Sequence, residues 1–473
     1  MRKTKIIATI GPSTFDENII KELILSGVNA FRFNFSHGTH TSHGENFHKV
    51  RAIASNLNTP VAIIQDLAGP KIRIGDVVKP FNVRRGDHLC ILKDCPIGNS
   101  NNVGINHPEL LDKLSLGCRI YLADGQIAFK AIQKVEGGFL FEALNNGVVS
   151  SRKGLNFPDV EIDLPALSQK DQEDVKFAIQ IGFDYIALSF VKNKSDILLI
   201  KNLIASTNAS IPVIAKIEKH ESLKNIDEII DTADAIMIAR GDLGIEVDIE
   251  KIPVIQKEII HKCNKKGKPV ITATQMLTSM IFNIRPTRAE VNDIGNAVLD
   301  GSDALMLSDE TAIGNYPLEV IQTMVKTIEH TELIYNYYRK IDETKIDTSI
   351  AYASCGLADN LKAKLICVFT KTGASARNIS MCRPHCDVFA NVYDVKTYNS
   401  LSLVWGITPY LIMKDDKNLE KMLGYFVKEA FRNELIGKSH LVVAIMGYPA
   451  GKPGSTNLIR VLRDIDFERY LNF

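Results

Sequence analysis

Eight short apolar runs, each followed by a polar turn and a helical pattern, constrain this chain more than any other feature. They cover residues 5–9 (KIIAT), 30–34 (AFRFN), 61–66 (VAIIQD), 185–189 (YIALS), 213–216 (VIAK), 235–238 (AIMI), 270–273 (VITA) and 304–307 (ALML). Short continuous apolar runs rich in β-branched residues, alternating with helices, indicate parallel strands buried on both faces. Eight such units predict a closed (β/α)8 TIM barrel.

One connection breaks the pattern. More than a hundred residues separate the third and fourth runs. Residues 74–158 are rich in Gly, Asn and short alternating stretches such as HLCIL and RIYLADGQIAF. They predict a small β domain, a β-barrel lid, inserted after strand three. The barrel resumes with LPALSQKDQEDVKFAI, a capped helix. Residues 335–347 are polar and charged and predict a linker. Beyond it, helices alternate with KLICVFT, HLVVAIMG and NLIRVL, which predicts a C-terminal α/β domain. The expected division is a barrel over 1–73 and 159–340, a lid over 74–158, and a C-terminal domain over 348–473.

Composition narrows the class. At roughly 150 residues per domain, 473 residues allow about three. Hydrophobic residues at 45% and charged residues at 23% exclude disordered and fibrous classes. With 56 basic and 55 acidic residues, no global basic field invites nucleic acid or an anionic membrane. No apolar run approaches the roughly 20 residues that span a bilayer. The start, MRKTKIIATIGPS, has too short an apolar stretch for a secretory signal. Eight unevenly spaced Cys point to free thiols in a reducing, cytoplasmic setting. Cys382 and Cys386 flank His385, but no second ligand pair with zinc spacing accompanies them.

Active sites of this barrel sit at the C-terminal strand ends. Those ends carry unusual charge here. Arg32, Asn34 and Ser36 end the second strand, spaced by two so that all can share a face. Asp66 ends the third, with Lys71 and Arg73 just beyond. Lys216 and Glu218 end the fifth, and the sixth runs to Arg240, Gly241 and Asp242. Thr272 and Thr274 end the seventh, Ser308 and Glu310 the eighth. A single charge at a strand end is where a chain meets water; six strands doing so at one end is not. Two carboxylates, Glu218 and Asp242, among several Arg and Lys suit a hard divalent cation holding an anionic substrate, such as a phosphorylated acid.

The segments FRFNFSHG, DLAGPKIR, AKIEKHE, ARGDLGIE, TATQML, PTRAEVND and MLSDETAIG, in that order along nearly the whole chain, resemble the pyruvate kinase family in its bacterial form. The resemblance implies phosphoryl transfer from phosphoenolpyruvate to ADP, giving pyruvate and ATP, the final step of glycolysis. It implies Mg2+ (or Mn2+) on Glu218 and Asp242, and Lys216 as the charge that stabilises the transferring phosphoryl group and the developing enolate. Gly241 and Thr274 would contact substrate. Thr274, or else Ser308, would hold the water chain that protonates the enolate, and Arg32 would bind the phosphoryl group. Arg73, Lys153 and His37 would face the nucleotide, unless His37 caps the following helix. Arg288 and Glu290 of PTRAE would form a structural ion pair. A cytoplasmic homotetramer is the family's usual form.

Three departures matter. Many members hold K+ on residues matching Asn34, Ser36 and Asp66 and a backbone carbonyl at Leu67. They usually carry Thr at position 67 and Glu at 71; Leu67 and Lys71 resemble the K+-independent branch, since a Lys ammonium supplies that charge without an ion. K+ is therefore not expected to be required. Asp309 adds negative charge where relatives have a small residue. Asp159 replaces a glycine usual at the lid hinge, which bears on lid closure.

In the C-terminal domain a strand runs into Thr370, Lys371, Thr372, Gly373 and Ser375 before a helix. Backbone N–H groups, hydroxyls and a Lys at a helix start suit a phosphate, and relatives bind phosphorylated effectors there, with the loop 447–457 closing over them. Sugar monophosphate, AMP and fructose bisphosphate all remain open. Two other readings compete with the kinase: another barrel enzyme acting on phosphoenolpyruvate or pyruvate, a lyase or mutase, and a catalytically dead sensor of a sugar phosphate. ADP-dependent pyruvate formation separates all three.

Overall fold

A computed structural model describes every residue except 124, 161–163, 340–344, 414–417, 450–453 and 473, and the side chain of 412. Part of the expected linker (340–344) and the centre of the loop 447–457 (450–453) therefore lie outside the described residues.

The eight apolar runs form eight strands: β1 (Lys5–Thr9), β2 (Ala30–Asn34), β3 (Ala62–Asp66), β4 (Tyr185–Leu188), β5 (Val213–Ile217), β6 (Ala235–Ala239), β7 (Val270–Ala273) and β8 (Ala304–Met306). Every neighbouring pair is parallel and β1 closes on β8, so the sheet is a barrel. Alternation sorts the side chains. Ile7, Ile64, Ile214, Met237 and Ile271 fill the barrel interior, while Ile6, Ile63 and Ile236 face the surrounding helices. This two-sided burial is why the runs carry no polar alternation.

Between β3 and β4 the chain forms a six-stranded sheet and two short ribbons around their own apolar core. The sheet runs, edge to edge, through Leu155–Asn156, Arg119–Leu122, Ile127–Val135, Gly138–Ala143, His88–Leu92 and Asn102–Gly104. The return to the barrel is a helix, Gln169–Ile181, whose N-cap Ser168 exchanges hydrogen bonds with Asp171.

The C-terminal region is a five-stranded sheet: β9 (Leu365–Phe369), β10 (Asp387–Val392), β11 (Ile407–Ile412), β12 (Val442–Gly447) and β13 (Thr456–Leu462). Its order is β11–β10–β9–β12–β13, with β13 antiparallel. The sequence patterns had indicated β9, β12 and β13 only. β10 and β11 carry a buried Asn391 and a Pro409, which interrupt the apolar signal. Leu403, just before β11, joins the cluster inside the barrel, so this region abuts the barrel's N-terminal end.

Candidate active site

Alternation decides which residues reach the barrel mouth. Ala30, Ile64, Ala187 and Ile214 point inward, so Arg32, Asp66, Ser189 and Lys216, two residues on, point inward too. They meet in one buried cluster. Lys216 Nζ lies 3.0 Å from Asp66 Oδ1 and 2.8 Å from Glu218 Oε1, and donates to Ser189 Oγ at 2.8 Å. Arg32 Nε pairs with Asp66 Oδ2 at 2.6 Å. Phe190 N–H donates to Glu218 Oε2 at 2.8 Å. Gly69 sits in a left-handed conformation, φ +67°, and a Cβ there would lie 2.6 Å from the Phe190 ring; only glycine lets that loop pass.

The charges set one another. Burial works against an ammonium at Lys216, but Asp66 and Glu218 outweigh it and hold its pKa above the ordinary lysine range. Burial likewise pushes Asp66 up, but Lys216 and Arg32 pull it below the usual carboxylate range. Both groups stay ionised at neutral pH. Lys71 is exposed at the rim. Crowding by protein lowers its pKa and Lys216 lowers it further, while Asp242, Glu218 and Asp66 pull the other way. Lys71 thus feels the same cluster.

Beside the cluster opens a cleft of about 370 Å3 between the barrel mouth and the inserted β domain. His37, Lys71, Arg73, Lys153, Phe190 and Asp242 line it. His37 does not cap the next helix: Thr39 does. Loss of solvation, then Lys71 and Arg73, push the His37 pKa down, so its ring is neutral at pH 7. Arg73 stays with the inserted domain through a bridge to Gly154 and a bond from its guanidinium to Arg152 O at 3.0 Å.

Thr274 reaches the mouth by a different route. Ile271 and Ala273 point inward, so Thr272 points outward, where its hydroxyl lies 2.7 Å from Ser302 Oγ. Straight continuation would send Thr274 outward as well. The backbone instead turns to φ +69° at Thr274 and +57° at Gln275, costly for a β-branched residue. The turn brings Thr274 Oγ1 to accept from Gly241 N–H at 2.8 Å. Arg240 holds the turn by donating to Thr274 O at 2.7 Å and pairing with Asp293.

Other sequence expectations land elsewhere. Glu310 is buried and accepts backbone N–H groups of Leu277 and Ser308, so it caps rather than offering charge to the mouth. Ser308 lies two residues beyond the inward Met306. Glu290 accepts from the Ser279 and Thr287 hydroxyls and N–H groups, and not from Arg288; it is a helix cap, not half of an ion pair. Asn34 Oδ1 accepts from Ser36 N–H, and the Leu67 carbonyl accepts from Ser189 Oγ at 2.7 Å. Asp159 pairs with Arg119 and is not among the positive-φ residues. Asp309 opens a short helix, exposed. All eight cysteines are free. No helix among the described residues is long and apolar enough to cross a membrane. Thr370, Lys371, Thr372 and Ser375 line a small pocket with Thr456, and Gly373 caps the helix Ala374–Met381. Sequence reasoning missed Ser189, Phe190 and Lys219; period-two alternation from Ala187 would have found Ser189.

A barrel enzyme that works on an anionic small molecule is the class these features define. Residues 1–321 match the family model for the pyruvate kinase barrel domain, and residues 348–462 that for the pyruvate kinase alpha/beta domain. The chain is 41% identical over 468 residues to pyruvate kinase 2 of Synechocystis, covering 97% of this chain and 79% of that protein. It is 38% identical over 470 residues to a pyruvate kinase of Staphylococcus aureus, covering 98% of this chain and 80% of that protein. A crystal structure of a pyruvate kinase from Cryptosporidium parvum superposes with a TM-score of 0.92 at 35% identity, covering 98% of this chain and 96% of the other. The chain belongs to the pyruvate kinase family and is a phosphotransferase.

That family generally uses Mg2+, and the donor set fits it. Glu218 and Asp242 follow adjacent strands, β5 and β6. They offer hard oxygens; each Glu218 oxygen keeps a lone pair beyond the contact it already has with Lys216 or Phe190 N–H, and Asp242 lines the cleft. Mg2+ typically takes one or two carboxylates and completes its shell with water and substrate.

Proposed function

We propose that this chain transfers the phosphoryl group of phosphoenolpyruvate to ADP, giving pyruvate and ATP. The observation that carries the reading is the Lys216 ammonium, buried between Asp66 and Glu218 beside a cleft walled by Arg73 and Lys153. Phosphoryl transfer demands positioning and charge neutralisation rather than covalent chemistry, and this site is built of fixed charges. The bond from phosphorus to the enol oxygen breaks and one to the ADP β-phosphate oxygen forms. Lys216 faces the oxygens on which charge develops, a stabilisation worth most in a dry site. Arg32 holds the phosphoryl group; Arg73, Lys153 and His37 hold the nucleotide. Gly241 and Thr274 orient the substrate, and Thr274, with Ser308 as the alternative, positions the water that delivers a proton to the enolate carbon. Mg2+ on Glu218 and Asp242 would neutralise the substrate's carboxylate and enol oxygens.

K+ is not required in this reading. Both oxygens of Asp66 already face cations, and Lys71 adds a further positive charge at the same cluster. The same family likeness supports a division into barrel (1–73, 159–340), lid (74–158) and C-terminal regulatory domain (348–473). It also supports a phosphorylated effector on Thr370, Lys371, Thr372, Gly373 and Ser375, a homotetramer, and a cytoplasmic location.

Pyruvate production from phosphoenolpyruvate, ADP and Mg2+, with and without K+, tests this. Turnover in both buffers is expected. Turnover only with K+ keeps the kinase and removes the role given to Lys71. No turnover in either, even with sugar phosphates and AMP added, overturns the kinase.

A further inference from the structure

One buried carboxylate joins the lid to the barrel. Glu246 ends the helix Arg240–Glu246, and its side chain is 1% exposed. Three groups from two segments converge on it. Lys219 Nζ lies 2.7 Å from Oε1, His220 Nδ1 lies 3.4 Å from Oε2, and Asn156 Nδ2 donates to Oε1 at 3.3 Å. Lys219 and His220 immediately follow Glu218. Asn156 belongs to the lid's last strand, three residues beyond Lys153, where the chain returns to the barrel.

A second lid contact falls next door. Gly125, in the turn between the lid strands Arg119–Leu122 and Ile127–Val135, has φ +83°. It comes so close that a Cβ would sit 3.3 Å from Ile245 Cγ1. Both lid contacts thus press on the last two residues of one helix, Ile245 and Glu246. The first turn of that helix carries Gly241 and Asp242.

Lys219 alone would neutralise the Glu246 charge. The bond from Asn156 is therefore surplus to neutralisation, and it is the one that spans lid and barrel. Two of the three nucleotide-side residues ride on the same arm: Lys153 precedes Asn156 by three residues, and Arg73 bridges to Gly154; His37 follows barrel strand β2. Lys216 and Arg32, on barrel strands, do not ride on it.

We propose that Glu246 is a positioning residue: through Asn156 it fixes the lid over the cleft, and through its helix it ties that placement to Gly241 and Asp242. This rests on the phosphoryl-transfer reading above.

The test is steady-state kinetics and thermal unfolding of Asn156→Ala and Asn156→Asp in the full chain. Losing a hydrogen bond to a charged acceptor raises KM for ADP about tenfold in Asn156→Ala. Asn156→Asp sets carboxylate against carboxylate and raises it further. KM for phosphoenolpyruvate stays within about twofold and the thermal midpoint stays put. Adding Glu246→Gln to Asn156→Asp restores an amide facing a carboxylate and recovers most of the loss. Amide hydrogen exchange without substrates supplies a readout independent of turnover: Leu155, whose N–H donates to Ile72 O, exchanges faster in both single variants. An unchanged KM for ADP in Asn156→Asp overturns the proposal. So does a joint fall of both affinities, kcat and thermal midpoint, and so does unchanged exchange at Leu155. A wild-type chain that makes no pyruvate defeats the reaction reading instead, and the exchange result then decides the clasp alone.

Discussion

The two ends of the barrel bury charge in opposite ways. At the C-terminal end, Arg32, Asp66, Lys216 and Glu218 form a cluster that adjoins an open cleft. At the N-terminal end, charges of similar burial are sealed by the C-terminal region. Arg383, 2% exposed, pairs with Asp303 Oδ1 at 2.9 Å, donates to Gly301 O and Asn264, and lies 4.6 Å over the Trp405 ring. Lys5 Nζ donates to Ile407 O at 2.7 Å, and Lys3 Nζ to Asp387 at 2.8 Å. Charges that saturate one another hold domains together. Charges gathered beside a cavity have work left to do, which is how the two faces of this architecture divide between chemistry and stability.

Substitutions on opposite sides should break in different currencies. Lys216→Met keeps the stem and removes the charge. Phosphoryl transfer is expected to fall by at least ~10³, about 4 kcal/mol of barrel-mouth stabilisation, measured as kcat; a loss under tenfold removes Lys216 from the role. Arg383→Met should leave KM alone but cost about 3 kcal/mol of folding stability by stranding Asp303, read from denaturant midpoints. Adding Asp303→Asn should return part of that loss; if the double variant is worse than the single, the pair is not the source.

Two smaller effects sharpen the contrast. Lys71→Glu should create a K+ requirement: about a tenfold drop in rate without K+, recovered when K+ is added. A drop that K+ does not recover would assign Lys71 to substrate binding instead. Asp387 is a pH probe of the sealed end. Burial pushes its pKa up, but Lys3 and the N-terminal ammonium outweigh that and hold it below the usual value. A carboxylate lowered on folding contributes stability above its unfolded pKa, near 3.9, and loses it as pH falls through the lower folded value. Asp387→Asn should therefore flatten the acid limb of the stability curve by about 1 kcal/mol or less, with kcat unchanged.

Much of the site was legible because the signal is local. Arg32, Asp66 and Lys216 each stand two residues beyond an inward apolar residue of their own strand, and alternation carries them to the mouth. Glu290 and Glu310 misled for the opposite reason. Each sits in a charged-looking motif, but nearby N–H groups, and hydroxyls at Glu290, capture the carboxylate, and a run of charged letters does not separate a cap from an ion pair.

The sequence alone determined the barrel, its insertion point and the charged strand ends, since burial on both faces and period-two alternation are properties of consecutive residues. Tertiary structure alone decided the rest. Thr274 faces Gly241 only because the backbone leaves the strand at a positive φ, against local preference, held there by Arg240. Asn156 meets Glu246 across 90 residues of chain. Arg383 meets Asp303 across 80. No local pattern encodes such meetings, because what stabilises them is the desolvated environment that exists only once the domains have packed.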